Sequence, residues 1–263
     1  MSAPAARPVA VVTGGSRGIG ARVCERLAAA GFDVHFCYRQ ARRRAETTVA
    51  RLSEHYPDAA VHGYQADITE PAALAEFAAT VAESGSPVTA LVLNASGGME
   101  RDAAPGYADV VNGDAQVAVL EAFAPLLRPG AAVVYLTSVQ SHGFGTIDEF
   151  DSYYAIARSK HRGEQLVGQW CRTNGRAIAL TTVVSDMVEG TPAALLMDLR
   201  EPAASEDRRR AALRSGADLP TVDAVARQVE LAVLAERAPG SWVDYVVGGA
   251  VIETFGTTTG SGR

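Results

Sequence analysis

Cysteine is sparse in this chain, and its placement excludes more than it supplies. Cys24, Cys37 and Cys171 are three in number, with no close pairing. No disulfide framework is expected from them, and a reducing, cytoplasmic setting is the simplest reading. Nowhere do Cys and His fall at zinc-ligand spacing, so no metal is expected. No apolar run approaches the roughly 20 residues that a membrane-spanning helix needs. Met1–Pro8 lacks the apolar stretch of a secretory signal. Basic residues are outnumbered, 24 Lys and Arg against 30 Asp and Glu, for a net charge of −6. A basic stripe for a nucleic-acid backbone is therefore missing, and neither nucleic acid nor membrane is an expected partner. An acidic total still permits a local anion site.

What is present is apolar and periodic. The 263 residues are 48% hydrophobic, enough for one sizeable core. Short β-branched runs at Val9–Thr13, Asp33–Tyr38, Val61–Tyr64, Ala90–Leu93, Ala132–Leu136, Ile178–Val184 and Trp242–Val247 read as strands. Between them lie helical segments at Ala21–Ala30, Arg42–His55, Pro71–Glu83, Asp109–Leu127, Ser152–Cys171 and Val222–Glu236. Gly31 and Pro129-Gly130 supply stop signals. Strand–helix alternation from start to end predicts one α/β domain over 1–263, a doubly wound parallel sheet of about seven strands covered on both faces. The Ala- and Arg-rich stretch 191–219 interrupts the alternation and is expected to be a helical substrate lid. The polar tail 257–263 is expected to be loose.

The first strand runs into Thr13-Gly14-Gly15-Ser16-Arg17-Gly18-Ile19-Gly20. Glycines here permit a tight turn, and the next helix aims free N–H groups and its positive end at a phosphate. Between a buried strand and a helix, such a turn is a specific signal for a nucleotide cofactor. The TGxxxGxG pattern, and the order of the segments downstream of it, resemble the short-chain dehydrogenase/reductase family from Val9 to about Gly249. Asp67-Ile68 is similar to its adenine-contacting turn. Asn94-Ala95-Ser96-Gly97 resembles its segment after the fourth strand, and Asn112 its helix asparagine. Ser138, ending the fifth strand, matches its catalytic serine, and Val247-Gly248-Gly249 its closing turn. Thr191 resembles the threonine that contacts the nicotinamide carboxamide. The resemblance implies a cofactor site formed by Gly14, Ser16, Arg17, Gly18, Ile19, Gly20, Arg39, Asp67, Ile68, Asn94, Ala95, Ser96, Lys160 and Thr191.

Arg39 stands after the second strand, where an enzyme for NAD usually has a carboxylate. With Arg17 it offers two guanidinium groups near one ribose, which suits the 2′-phosphate of NADPH. The catalytic segment departs from the family's Tyr-x-x-x-Lys. Four residues before Lys160 stands Ile156, and four after Tyr154 stands Arg158. The Ser159-Lys160 to Gly163-Glu164 stretch favours Lys160 as the lysine. Tyr154 is then the candidate acid, six residues from Lys160 and about 120° around a regular helix, provided that its turn is irregular. Tyr153 is expected to point elsewhere. Catalytic candidates are thus Asn112, Ser138, Tyr154 and Lys160, with Asp186 a relay, a substrate contact or a cap, and His142 a titratable neighbour. The expected function is an NADPH-dependent ketoreductase acting on a small organic substrate. With Ile156 in the acid's place, the substrate could instead be a quinone-like ketone, an imine or an activated alkene. A non-catalytic NADP-binding regulator is the reading from another class. The resemblance also implies a homodimer or homotetramer, pairing through helices where Val117, Leu120 and Phe123 provide apolar side chains.

Overall fold

The computed structural model describes residues 7–100, 103–147, 150–174, 178–214, 216 and 218–247. Seven strands form one parallel sheet: β1 Val9–Thr13, β2 Asp33–Tyr38, β3 Val61–Gln65, β4 Val88–Leu93, β5 Leu127–Ser138, β6 Ala179–Ser185 and β7 Trp242–Val247. Their order across the sheet is β3-β2-β1-β4-β5-β6-β7. The order in which strands are added therefore reverses between β1 and β4, which opens a crevice at the carboxyl ends of those strands. The strand period of two divides each strand's side chains between two cores. Val9 and Val11 face a core shared with α3 Pro71–Ala82, α5 Ala115–Phe123 and α7 Tyr154–Thr173. Ala10 and Val12 face one shared with α1 Gly18–Ala29, α2 Arg42–His55 and α10 Val222–Leu234. The doubly wound α/β architecture expected from the alternation is the one observed.

The fourth helical segment differs. Instead of a continuous helix over Asp109–Leu127, a short α4 Tyr107–Asp109 runs into a π-helical turn Val110–Asp114 and then α5. Leu127 belongs to β5, where it pairs with Val88, and Pro129-Gly130 lie in the exposed opening of that strand. Apolar Leu126 and Leu127 extend the helical periodicity past its true end, so the pattern hides the change of element. Leu120 and Phe123 are fully buried against the sheet. They cannot form the docking face expected of them.

The stretch after β6 folds as α8 Pro192–Arg200 and α9 Pro202–Arg214. Together with Phe150, Tyr153 and Ile156 these helices enclose a third, smaller apolar cluster. The turn Gly248-Gly249 and the tail 257–263 lie outside the described residues. Among the described residues no helix is long and apolar enough to cross a membrane, and the three cysteines are free.

Candidate active site

A cleft of about 510 Å³ lies along the carboxyl ends of the strands. At one end is the glycine turn. Gly18 opens α1 with φ +53, a left-handed conformation that only glycine adopts cheaply. A Cβ on Gly20 would fall on the carbonyl oxygen of Gly14, so this position too needs glycine. The Arg17 side chain does not cap α1, and no acidic residue lies in its first turn. Its leading N–H groups and positive dipole end are thus left for an anion. Asn94 shapes this turn from β4: its Nδ2 donates to the carbonyls of Thr13 at 2.9 Å and Gly14 at 3.3 Å. Thr13 Oγ1 in return accepts from the backbone N–H groups of Asn94 and Ala95, both at 3.0 Å. Uncapped helix, positive-φ glycine and a roomy cleft together fit a dinucleotide's phosphates.

All of the residues expected at the cofactor line this one cleft: the glycine turn, Arg39, Asp67-Ile68, Asn94-Ala95-Ser96, Lys160 and Thr191. Asp67 Oδ1 closes a turn by accepting from the N–H and hydroxyl of Thr69. Thr191 caps α8, accepting from Ala194 N at 3.2 Å.

At the other end stand the groups suited to proton transfer. Ser138 terminates β5 and caps the short helix α6 Val139–His142. Its Oγ accepts from Ser141 N at 3.2 Å and lies 2.6 Å from Ser141 Oγ. The tyrosine that reaches Ser138 is Tyr153. It is buried in a 3₁₀ turn Asp151–Tyr153, and its hydroxyl donates to Ser138 Oγ over 3.4 Å. Tyr154 begins α7 outside the cleft lining, 52% exposed, with its ring against Phe144. The expectation that Tyr154 faces the site while Tyr153 points away is thus reversed. The reason is helical phase: seven residues before Lys160, Tyr153 lies within about 20° of it around a helix, whereas Tyr154 lies about 120° away, and Phe150 and Tyr153 join the third apolar cluster. Tyr153, Ile156 and Lys160 all line the cleft. Their i, i+3, i+7 spacing is one helical face.

Asn112 sits in the π turn behind the cleft wall, 1% exposed. Its Oδ1 accepts from Ser96 Oγ and Gly97 N, while its Nδ2 donates to Gly97 O and Ser159 Oγ. It ties the β4 loop to α7 through Ser159, while Ser141 engages Ser138. Asp186 lines the cleft but is engaged: Oδ1 accepts from Met187 N at 2.6 Å and from Arg208 Nε at 2.8 Å, which anchors α9. His142 turns away from the cleft toward Glu164, with Nδ1 and Oε1 2.6 Å apart. That hydrogen bond raises its pKa above the ordinary histidine value.

Known proteins share this fold. The family model of the short chain dehydrogenases matches residues 8–194. A Streptomyces violaceoruber protein assigned as a ketoacyl reductase of the granaticin polyketide synthase is 38% identical over 96 residues, covering 36% of this chain and 34% of that one. The match thus spans about a third of that relative. A short chain dehydrogenase from Burkholderia cenocepacia, solved in complex with NADP, is 27% identical, with a TM-score of 0.75 over 92% of this chain and 97% of that one. An NADPH-bound short chain oxidoreductase from Pseudomonas aeruginosa, described as containing an atypical catalytic center, shares the fold. It is 22% identical, with a TM-score of 0.76 over 95% and 98%.

Proposed function

The chain belongs to the short-chain dehydrogenase family of oxidoreductases, and from that premise we propose that it uses NADPH to reduce the carbonyl of a small organic substrate. The observation that supports this most is the continuity of the cleft. It runs from Arg17 and Arg39, past the glycine turn, to Ser138, Tyr153 and Lys160. Arg17 and Arg39 suit a 2′-phosphate. The glycine turn with Asn94-Ala95-Ser96 would hold the pyrophosphate and ribose, Lys160 the second ribose, and Thr191 the carboxamide. The cofactor, when bound, supplies the hydride.

The chain's own groups do the rest. Ser138 donates a hydrogen bond to the oxygen on which negative charge develops. Tyr153 stands beside it and delivers the proton. Asn112 holds the β4 loop against α7 so that the wall of the cleft keeps its shape. Met99, Met187, Met197 and Ile156 line the remaining space, which suits an apolar substrate body. NADP in the Burkholderia relative and the ketoacyl reductase assignment of the Streptomyces relative agree with this reading.

Ile156, buried in the cleft four residues before Lys160, favours a second reading. A substrate that needs little acid help, such as a quinone-like ketone, an imine or an activated alkene, would react without a tyrosine there. NADPH consumption against a panel of ketones, quinones, imines and activated alkenes tests both. Turnover of simple ketones supports the first, and turnover of activated substrates alone supports the second. Tight NADPH binding without turnover of any would leave a non-catalytic cofactor binder. We further propose a cytoplasmic homodimer or homotetramer, as is usual for closed assemblies of one chain.

A further inference from the structure

The cation assigned to the 2′-phosphate already has an anion on it. Arg39 Nη2 meets Glu100 Oε1 at 3.1 Å. Its Nη1 donates to the Tyr107 hydroxyl, and the guanidinium lies over the Tyr107 ring, 5.2 Å from its centroid. The second oxygen of Glu100 accepts from Gly98 N at 2.6 Å. The loop after β4 thus folds back over the adenosine end and presents a carboxylate to Arg39. All three side chains line the cleft. The pair is solvated, with side chains 33% and 40% exposed, and an exposed ion pair of this kind is weak enough to be exchanged. A phosphate brings more negative charge and more acceptor oxygens to the same guanidinium than a carboxylate can. The two anions cannot share that edge without repulsion. NADH carries no such phosphate and makes no claim on Arg39 through it.

We propose that Glu100 is an internal competitor for Arg39 and so a determinant of cofactor selectivity. It holds the guanidinium in the free protein, and the 2′-phosphate of NADPH must displace it. The inference rests on the proposed use of NADPH. Glu100→Gln keeps the shape and the Gly98 contact but removes the charge. NADPH should then bind about two- to fivefold tighter, the scale of one exposed ion pair, while NADH affinity moves less. The gain should shrink as salt is raised, and it should vanish in an Arg39→Gln background. Affinities are read by the fluorescence of the reduced nicotinamide on titration into the full chain, with no turnover required. NADPH affinity that is unchanged or weaker in Glu100→Gln, or a gain shared equally by NADH, overturns the proposal. Arg39→Gln separates the two failures. If it leaves NADPH affinity unmoved, the NADPH reading itself falls and the competitor role with it. If it weakens NADPH while Glu100→Gln brings no gain, only the role of Glu100 is lost.

Discussion

Removing a single hydroxyl, in Tyr153→Phe, should separate the two adjacent tyrosines. Tyr153 is 7% exposed and its hydroxyl is the one aimed at Ser138. As the general acid it should be worth the usual 10²–10⁴ in turnover, or about 3–5 kcal/mol of barrier. Folding should register far less. The hydrogen bond is long at 3.4 Å, so its loss costs at most about 1 kcal/mol of stability. NADPH affinity should hold, because Tyr153 stands at the end of the cleft remote from Arg39 and the glycine turn. Tyr154→Phe is the matched control. Its ring contact with Phe144 survives, its hydroxyl is outside the cleft lining, and turnover should stay within about twofold of the unchanged chain. The assay is steady-state NADPH oxidation with the best substrate of the panel, alongside NADPH titration and a thermal melt for each variant. Full activity in Tyr153→Phe would refute the assignment and move the proton source to water or substrate. A large loss in Tyr154→Phe instead would restore the expectation drawn from the sequence.

Arg39→Asp should weaken NADPH about ten- to a hundredfold and improve NADH relative to it, from the 1.5–3 kcal/mol or so of charge-assisted bonds; equal affinities before and after would leave Arg39 with no part in phosphate binding. Gly163→Ala should destabilise by about 1–3 kcal/mol, because the new Cβ would fall on the carbonyl oxygen of Asn112, and an unchanged urea midpoint would contradict the close approach of α7 to the π turn. Two histidines should bend stability against pH in opposite senses. Burial pushes His35 from 6.5 down to about 4, so its neutral form stabilises the fold above about 6.5 and up to about 3 kcal/mol is lost as pH falls through that window. The raised pKa of His142 does the reverse: its contribution is present below the ordinary histidine value and fades as pH rises through the raised one. Urea melts across pH for His35→Gln and His142→Gln read each slope, and a slope unchanged by its own substitution refutes that part. Light scattering should give a dimer or tetramer, and a monomer at working concentration ends that proposal.

The sheet was legible because burial on both faces leaves a plain signature. Val9–Thr13 and Ala179–Ser185 are fully buried strands, and each is a run of apolar or β-branched residues bounded by turn chemistry. Boundaries failed where one apolar pattern crosses two elements. Leu126 and Leu127 continue the helical spacing of α5, yet Leu127 pairs with Val88. Only the tertiary partner decides which structure those residues join. The π turn Val110–Asp114 left no local mark either: it is a matter of how α4 and α5 meet α7 across Gly163.

The proposed cofactor end of the cleft could be assembled from the sequence because it is built from contiguous segments. A glycine turn, one arginine after β2 and one loop after β4 each carry their meaning in a few adjacent residues. The proposed proton-transfer end depends on helical phase, which the sequence leaves undetermined where a helix begins. Counted along a regular α-helix, Tyr154 and Lys160 sit about 120° apart and need an irregular turn to converge. The chain does have an irregular turn, but it ends at Tyr153. Tyr153 and Lys160 are seven apart, nearly in phase after two turns, and separated by roughly 10 Å of rise. Ile156 fills the face between them. Phase counted seven residues back from Lys160, rather than four or six, therefore places Tyr153 and not its neighbour on the cleft face, and the 3₁₀ turn that ends at Tyr153 leaves that phase intact.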